Sequence, residues 1–254
     1  MSFTSSWVKL RRLGRGKTPP APKYFQLEET LREQIAAWEI DHPIPSEPEL
    51  CRAYSVSRTT VRKALDDLVR EGLLYRVQGK GTFVAPPKLR ERFAQRTAGF
   101  YEDMVSRGFT VRTRVLEQTV VRASKRVASE LELPAGDKVV KWVRLRLIGN
   151  DPILISTSFV SQRRFPAIED EDMTEVSLYA LLREKYGVHL ARGTRLLEVS
   201  SCTEEEAGLL RMPPGAPLLV LTGTMYDTEG QPVEYGVARL RGDRSQLEIE
   251  IVTD

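Results

Sequence analysis

At 254 residues, 41% hydrophobic and 29% charged, the chain has room for two packed domains and too much apolar content for wholesale disorder. The densest apolar run, 217–222, is only of strand length, and no apolar stretch follows the basic N-terminus, so neither a membrane span nor a secretory signal is expected. Cys51, Cys202, His42 and His189 make no metal spacing; a reduced, cytoplasmic protein without metal or cofactor is the expectation. The net charge of +3 is unevenly spread: residues 1–23 carry six Lys/Arg and no acid, 24–49 one Arg against seven acids, and 50–90 nine Lys/Arg against three acids. A basic segment confined to one early stretch, with a mildly acidic remainder, suits a polyanion-binding module placed before a second domain.

Residues 1–22 read as a basic flexible arm that stops at a run of prolines. Leu27, Leu31, Ile35 and Trp38 then recur at helical spacing, ending before Pro43. Ser46-Glu-Pro-Glu49 is a capping box that opens a short helix to about Tyr54, with Pro48 tolerated in the first turn. Ser57 caps a third helix, Arg58 to about Glu71, which Gly72 closes. Val61, Ala64, Leu65, Leu68 and Val69 share one side of it, while Thr59, Arg62, Lys63 and Asp66 share the other. Two strand-like runs, 73–77 and 82–85, flank Gln78-Gly-Lys-Gly81, a hairpin with a glycine-rich tip. Helix, helix, turn, helix, hairpin is a winged helix-turn-helix, spanning 23–86, and 87–96 is the linker behind it.

Residues 97–254 contain a weak internal repeat. Val127-Ala-Ser-Glu-Leu-Glu-Leu-Pro-Ala-Gly136 aligns with Glu206-Ala-Gly-Leu-Leu-Arg-Met-Pro-Pro-Gly215, and each copy precedes two strand-like runs joined by a turn. The first runs are 138–148 and 217–227, and the second ones open with Pro152 and Pro232. Two strand–helix–hairpin halves pair into a mainly antiparallel sheet carrying helices, so the fold class is α+β. Further helices fit 93–107 and 176–186.

The constellation Pro45-Ser-Glu, Val56-Ser-Arg-Thr-Thr-Val-Arg-Lys-Ala-Leu65, Glu71-Gly-Leu-Leu and Gln78-Gly-Lys-Gly-Thr-Phe-Val84 resembles the DNA-binding domain of the GntR family of bacterial transcription regulators. From about Phe93 onward, Asp103-Met, Arg144-Leu-Arg146, Ser177-Leu-Tyr179, Pro232-Val-Glu-Tyr235 and Gly242-Asp-Arg244 resemble the UTRA effector domain of the HutC subfamily, which is related in fold to chorismate lyase. The resemblance implies a homodimeric, ligand-responsive repressor that binds a pseudo-palindromic double-stranded DNA operator. A small anionic effector, such as a phosphorylated sugar, would release it. An effector-independent plasmid-maintenance or architectural repressor is the alternative, and a chorismate lyase-like enzyme a more distant one. No Ser/His/Asp or Cys/His set supports catalysis.

The candidate DNA contacts are Ser46, Glu47, Ser57, Arg58, Thr59, Thr60, Arg62, Gln78, Gly79 and Lys80. Independently of the resemblance, the start of the third helix offers amides and hydroxyls suited to phosphates and guanidinium forks suited to guanine edges. The family usually has Arg where this chain has Pro48. For the effector, the resemblance implies Arg144, Arg146, Ser177 and Tyr179 around an anion and Glu234 on a sugar, with Tyr235 and Ser156 beside them. Alternation places Arg144 and Arg146 on one strand face, where two forks can converge. Ser156 stands where the family has an acid, and Leu240 where it has an aromatic hydroxyl, so the anion half of the site is kept and the sugar half altered.

Overall fold

The computed structural model describes residues 22–91 and 99–247. The basic arm as far as residue 21, positions 92–98 of the expected linker and following helix, and the C-terminal end past 247 lie outside the described residues. The chain divides into two compact units after Pro86.

The first unit runs α1 (Lys23–Ile35), α2 (Glu47–Tyr54), α3 (Arg58–Arg70), β1 (Leu74–Val77) and β2 (Gly81–Val84). The apolar stripe of α1 meets that of α3: Leu27, Leu31 and Ile35 pack with Val61, Ala64, Leu65 and Leu68, and Leu50, Leu74 and Val84 complete the core. Each such leucine contributes about 1.5–3 kcal/mol by leaving water. α1 stops short of Trp38 because the Ala37 and Trp38 amides donate to the carbonyls of Gln34 and Ile35, tightening the last turn. Trp38 still reaches the core from that turn. At α3 the Ser57 hydroxyl accepts from the Thr60 amide at 3.2 Å, and Gly72, at φ 76°, redirects the chain into the hairpin. β1 and β2 pair antiparallel from Leu74↔Val84 to Val77↔Gly81.

The second unit is a seven-stranded antiparallel sheet with helices on both faces. Its strands are β4 (Val111–Arg122), β5 (Lys138–Ile148), β6 (Asp151–Ser161), β7 (Leu190–Gly193), β8 (Leu196–Ser201), β9 (Pro217–Asp227) and β10 (Pro232–Arg241). Their order is β4-β5-β6-β10-β9-β7, with β8 also on β9, so the two hairpins of the repeat join through β6 and β10 at the centre. Helices α4 (Phe100–Ser106) and α6 (Leu178–Tyr186) cover one face. Phe100 and Met104 pack with Leu154, Leu221 and Leu240, while Leu178 and Leu182 pack with Trp142 and Val160. Helices α5 (Lys125–Glu130) and α7 (Glu204–Leu210) cover the other, where Val127 meets Val139 and Tyr235, and Ala207 and Leu210 meet Leu145, Ile155 and Leu218. Within the segment expected to be a plain linker, β3 (Leu89–Glu91) forms instead and pairs in parallel with β11 (Ser245–Leu247). The Leu89 amide donates to the Arg244 carbonyl at 2.7 Å, giving that backbone a partner a free linker would lack.

Candidate DNA interface and effector pocket

On the first unit, the start of α3 and the hairpin tip present the expected residues to solvent. Ser57, Arg58, Thr59, Arg62, Gln78, Gly79 and Lys80 are exposed, and Thr60 is half-buried. The Ser57 hydroxyl lies 2.8 Å from both the Thr59 and the Thr60 hydroxyls, so cap and helix start form one polar knot. Gly79 (φ 74°) and Gly81 (φ 128°) adopt backbone that favours glycine, leaving Lys80 at a narrow tip. Ser46 is occupied as the cap of α2: its amide and hydroxyl donate to the Glu49 carboxylate at 2.8 and 2.6 Å, holding that acid below its usual range. Glu47 pairs with Arg62, Oε2 lying 3.0 Å from Nε.

The second unit carries a pocket on the α4/α6 face of its sheet, with about 90 Å³ of free space. Strand register builds its floor: Arg144 on β5 lies beside Ser156 on β6, Ser156 beside Ala238 on β10, and Ala238 beside Leu221 on β9. All four line the pocket, as do Arg146, Ser158 and Gly236 one same-face step away and Glu234 two steps along β10. The walls are Tyr101 in the first turn of α4, Ser177 and Tyr179 at the cap and first turn of α6, and Arg195 from the β7–β8 connection. A side chain at Gly236 would come within 3.4 Å of Glu234 Oε1, so glycine keeps space beside that carboxylate.

The electrostatics are unusual for an interior. Arg144 and Arg146 are both buried, and neither forms an ion pair among the described residues. Arg144 Nη2 donates to Ser158 Oγ at 3.3 Å, while its Nε and Nη1 have no partner among the described residues, and neither does the buried Ser156 hydroxyl. Arg146 donates to the Thr113 hydroxyl and, at 3.4 Å, to the Val176 carbonyl, and its guanidinium lies 5.4 Å from the Tyr101 ring centre. Burial pulls the Arg144 guanidinium below its ordinary value against the pull of Glu234. Arg146 is lowered further, by burial and then by the charge of Arg144. At the other end the Tyr179 hydroxyl donates to Glu234 Oε2 at 2.5 Å, and Arg195 Nη2 donates to Tyr179 at 3.5 Å. Burial and then Glu234 push the Tyr179 phenol above its ordinary value, so it stays a neutral donor. Such a site offers unpaired cationic donors at one end and a carboxylate acceptor at the other.

Of the expected effector residues, Arg144, Arg146, Ser156, Ser177, Tyr179 and Glu234 come together here. Tyr235 does not. It follows Glu234 on β10, so alternation turns it to the opposite face, where it stacks on Phe159 and packs with α5. Ser177 caps α6, its hydroxyl accepting from the Ala180 amide at 3.2 Å. Leu240 is core, packed with α4. Arg195 also lines the pocket although no sequence motif surrounds it; the connection between β7 and β8, crossing beside β9, brings it in. At that crossing a Cβ on Gly223 would lie 1.8 Å from the Thr194 carbonyl oxygen.

Residues 23–84 match the family model described as bacterial regulatory proteins, gntR family, and residues 106–246 match the UTRA domain. The HTH-type transcriptional repressor NagR of Bacillus subtilis is 36% identical over 230 residues, covering 90% of this chain and 94% of that protein. The probable fructoselysine utilization operon transcriptional repressor of Escherichia coli is 30% identical, covering 89% and 93%. Among solved structures, PhnF from Mycobacterium smegmatis superposes with a TM-score of 0.64 at 24% identity, over 90% of this chain and all of that one.

Proposed function

Because the chain belongs to the GntR family of bacterial regulatory proteins, in the HutC subfamily with its UTRA domain, we propose that it is a repressor released from its DNA operator by a small anionic effector. The observation that carries the effector chemistry is Arg144, a buried cation with two donors unpaired among the described residues. A buried charge without partners is costly, and an anion supplies what the fold withholds. Arg144, Arg146 and the Ser156 hydroxyl form the anion end, and Glu234 with Tyr179 offers a carboxylate for a hydroxyl-bearing end. That pairing of functions fits a phosphorylated sugar. Its binding shifts DNA affinity only to the extent that it favours one conformation of the protein over another.

Arg58, Thr59, Thr60 and Arg62 on α3, with Gln78, Gly79 and Lys80 on the hairpin, would make the operator contacts. The protein would act as a homodimer on a pseudo-palindrome. Supporting this, β8 is an edge strand exposed along its length, with Leu196, Leu197 and Val199 at 55%, 43% and 76% exposure. Open edges of this kind pair with another chain unless charged or covered, and a two-fold axis would join two copies through identical patches. A thermal-shift series with phosphorylated sugars, the same sugars without phosphate, and inorganic phosphate tests the effector reading. Stabilisation by one phosphorylated sugar and not by its dephosphorylated form is expected. Stabilisation by neutral sugars alone would overturn it.

A further inference from the structure

We infer that Glu47 is a positioning residue for operator readout: it holds the Arg62 guanidinium by its inner nitrogen, leaving the outer edge free for a base, and does not itself read the DNA. The inference rests on the proposed operator contact of Arg62 and assigns to Glu47 a role different from the direct contact its sequence position suggests.

Glu47 is the first residue of α2 and Arg62 lies in the second turn of α3, so the pair bridges the two helices of the helix-turn-helix. Both carboxylate oxygens face one nitrogen, Oε2 at 3.0 Å and Oε1 at 3.3 Å from Arg62 Nε. No bond to Arg62 Nη1 or Nη2 is present among the described residues, so the two-pronged end of the fork remains available. That end is the part of an arginine that meets O6 and N7 of guanine together. The Arg62 side chain is 67% exposed and the Glu47 side chain 30%, so the acid is the more buried partner and the cation the more accessible one. An exposed pair of this kind adds little to folding. Its consequence lies in orientation: a long flexible side chain loses rotamer freedom before DNA arrives, and a planar fork held in one direction discriminates bases better than a swinging one. A carboxylate pointing at DNA would instead repel phosphates, which its engagement with Arg62 offsets.

The test uses the full-length protein and the variants Glu47→Ala, Glu47→Gln, Arg62→Ala and Glu47→Ala/Arg62→Ala. Selection from a randomised DNA pool with wild type defines the preferred site and the base pair whose preference Arg62→Ala erases. Dissociation constants are then measured on that site and on its substitutions at each position. Glu47→Ala should reduce preference at the Arg62 base pair at least threefold, with binding to unrelated DNA equal or tighter. Glu47→Gln, which still offers an oxygen to Nε, should recover at least half of that preference, and Glu47→Ala should change nothing further once Arg62 is Ala. Loss of preference at a different base pair, or additivity in the double variant, would overturn the inference by showing that Glu47 reads DNA itself. Unchanged preference in Glu47→Ala with Arg62→Ala still deleterious would overturn it while leaving the Arg62 contact standing. An Arg62→Ala protein with wild-type affinity and preference would remove both.

Discussion

Replacing Arg144 by Met separates a ligand-binding cation from a structural one. The guanidinium is buried, donates one bond of 3.3 Å to Ser158, and leaves Nε and Nη1 unpaired. Each unsatisfied buried donor costs about 1–3 kcal/mol, whereas the bond to Ser158 contributes about 1 kcal/mol. The variant of similar length should therefore be at least as stable as wild type without effector, and about 1 kcal/mol of net gain would raise the melting temperature by about 2–4 °C for a protein of this size. With effector the sign reverses. Two charge-assisted bonds of about 1.5–3 kcal/mol each are lost, so affinity should fall by ~100-fold or more. Thermal unfolding with and without the effector, together with calorimetric titration, reads both quantities. A variant that melts several degrees lower yet binds the effector as tightly as wild type would refute the reasoning and make Arg144 part of the scaffold.

Arg62→Ala should cost about 1–3 kcal/mol in specific operator binding with little effect on melting, as gel-shift titration at matched salt would show. Gly223→Ala places a methyl group 1.8 Å from the Thr194 carbonyl oxygen. The β7–β8 connection must then move, so this variant should melt lower and bind effector more weakly through displaced Arg195, both measurable by differential scanning fluorimetry; unchanged melting would show that the crossing yields at no cost. Val199→Lys puts a charge on the exposed edge of β8 and should shift sedimentation from dimer to monomer, while an unchanged sedimentation coefficient would place the subunit contact elsewhere.

The sequence was most legible where local chemistry and long-range packing agree. Ser57 and Gly72 bracket α3 where their capping preferences put them, and the turn residues of the repeat place β5 at Lys138–Ile148 and β9 at Pro217–Asp227, as its spacing predicts. Trp38 misleads because its apolar character continues the stripe of α1, although the α-helix ends at Ile35 and the amides of Ala37 and Trp38 already bond three residues back. The segment 89–91 was unreadable as a strand, since its partner lies more than 150 residues away and only tertiary pairing defines it. In the pocket, alternation along β5 was enough to bring Arg144 and Arg146 to one face. The same alternation excludes Tyr235, because the strand that presents Glu234 must turn its neighbour away. Arg195 shows the opposite limit: a residue joins the site through a chain crossing that depends on Gly223, with no periodicity to announce it.

The most direct measurement of the central claim is fluorescence anisotropy of labelled operator bound to the protein during titration with the stabilising sugar phosphate. Wild type should release the operator as effector accumulates. Arg144→Ala/Arg146→Ala should bind the operator within a few-fold of wild type and stay bound at effector concentrations that empty the wild-type complex. Release of both proteins at the same effector concentration, or of neither, would contradict the account.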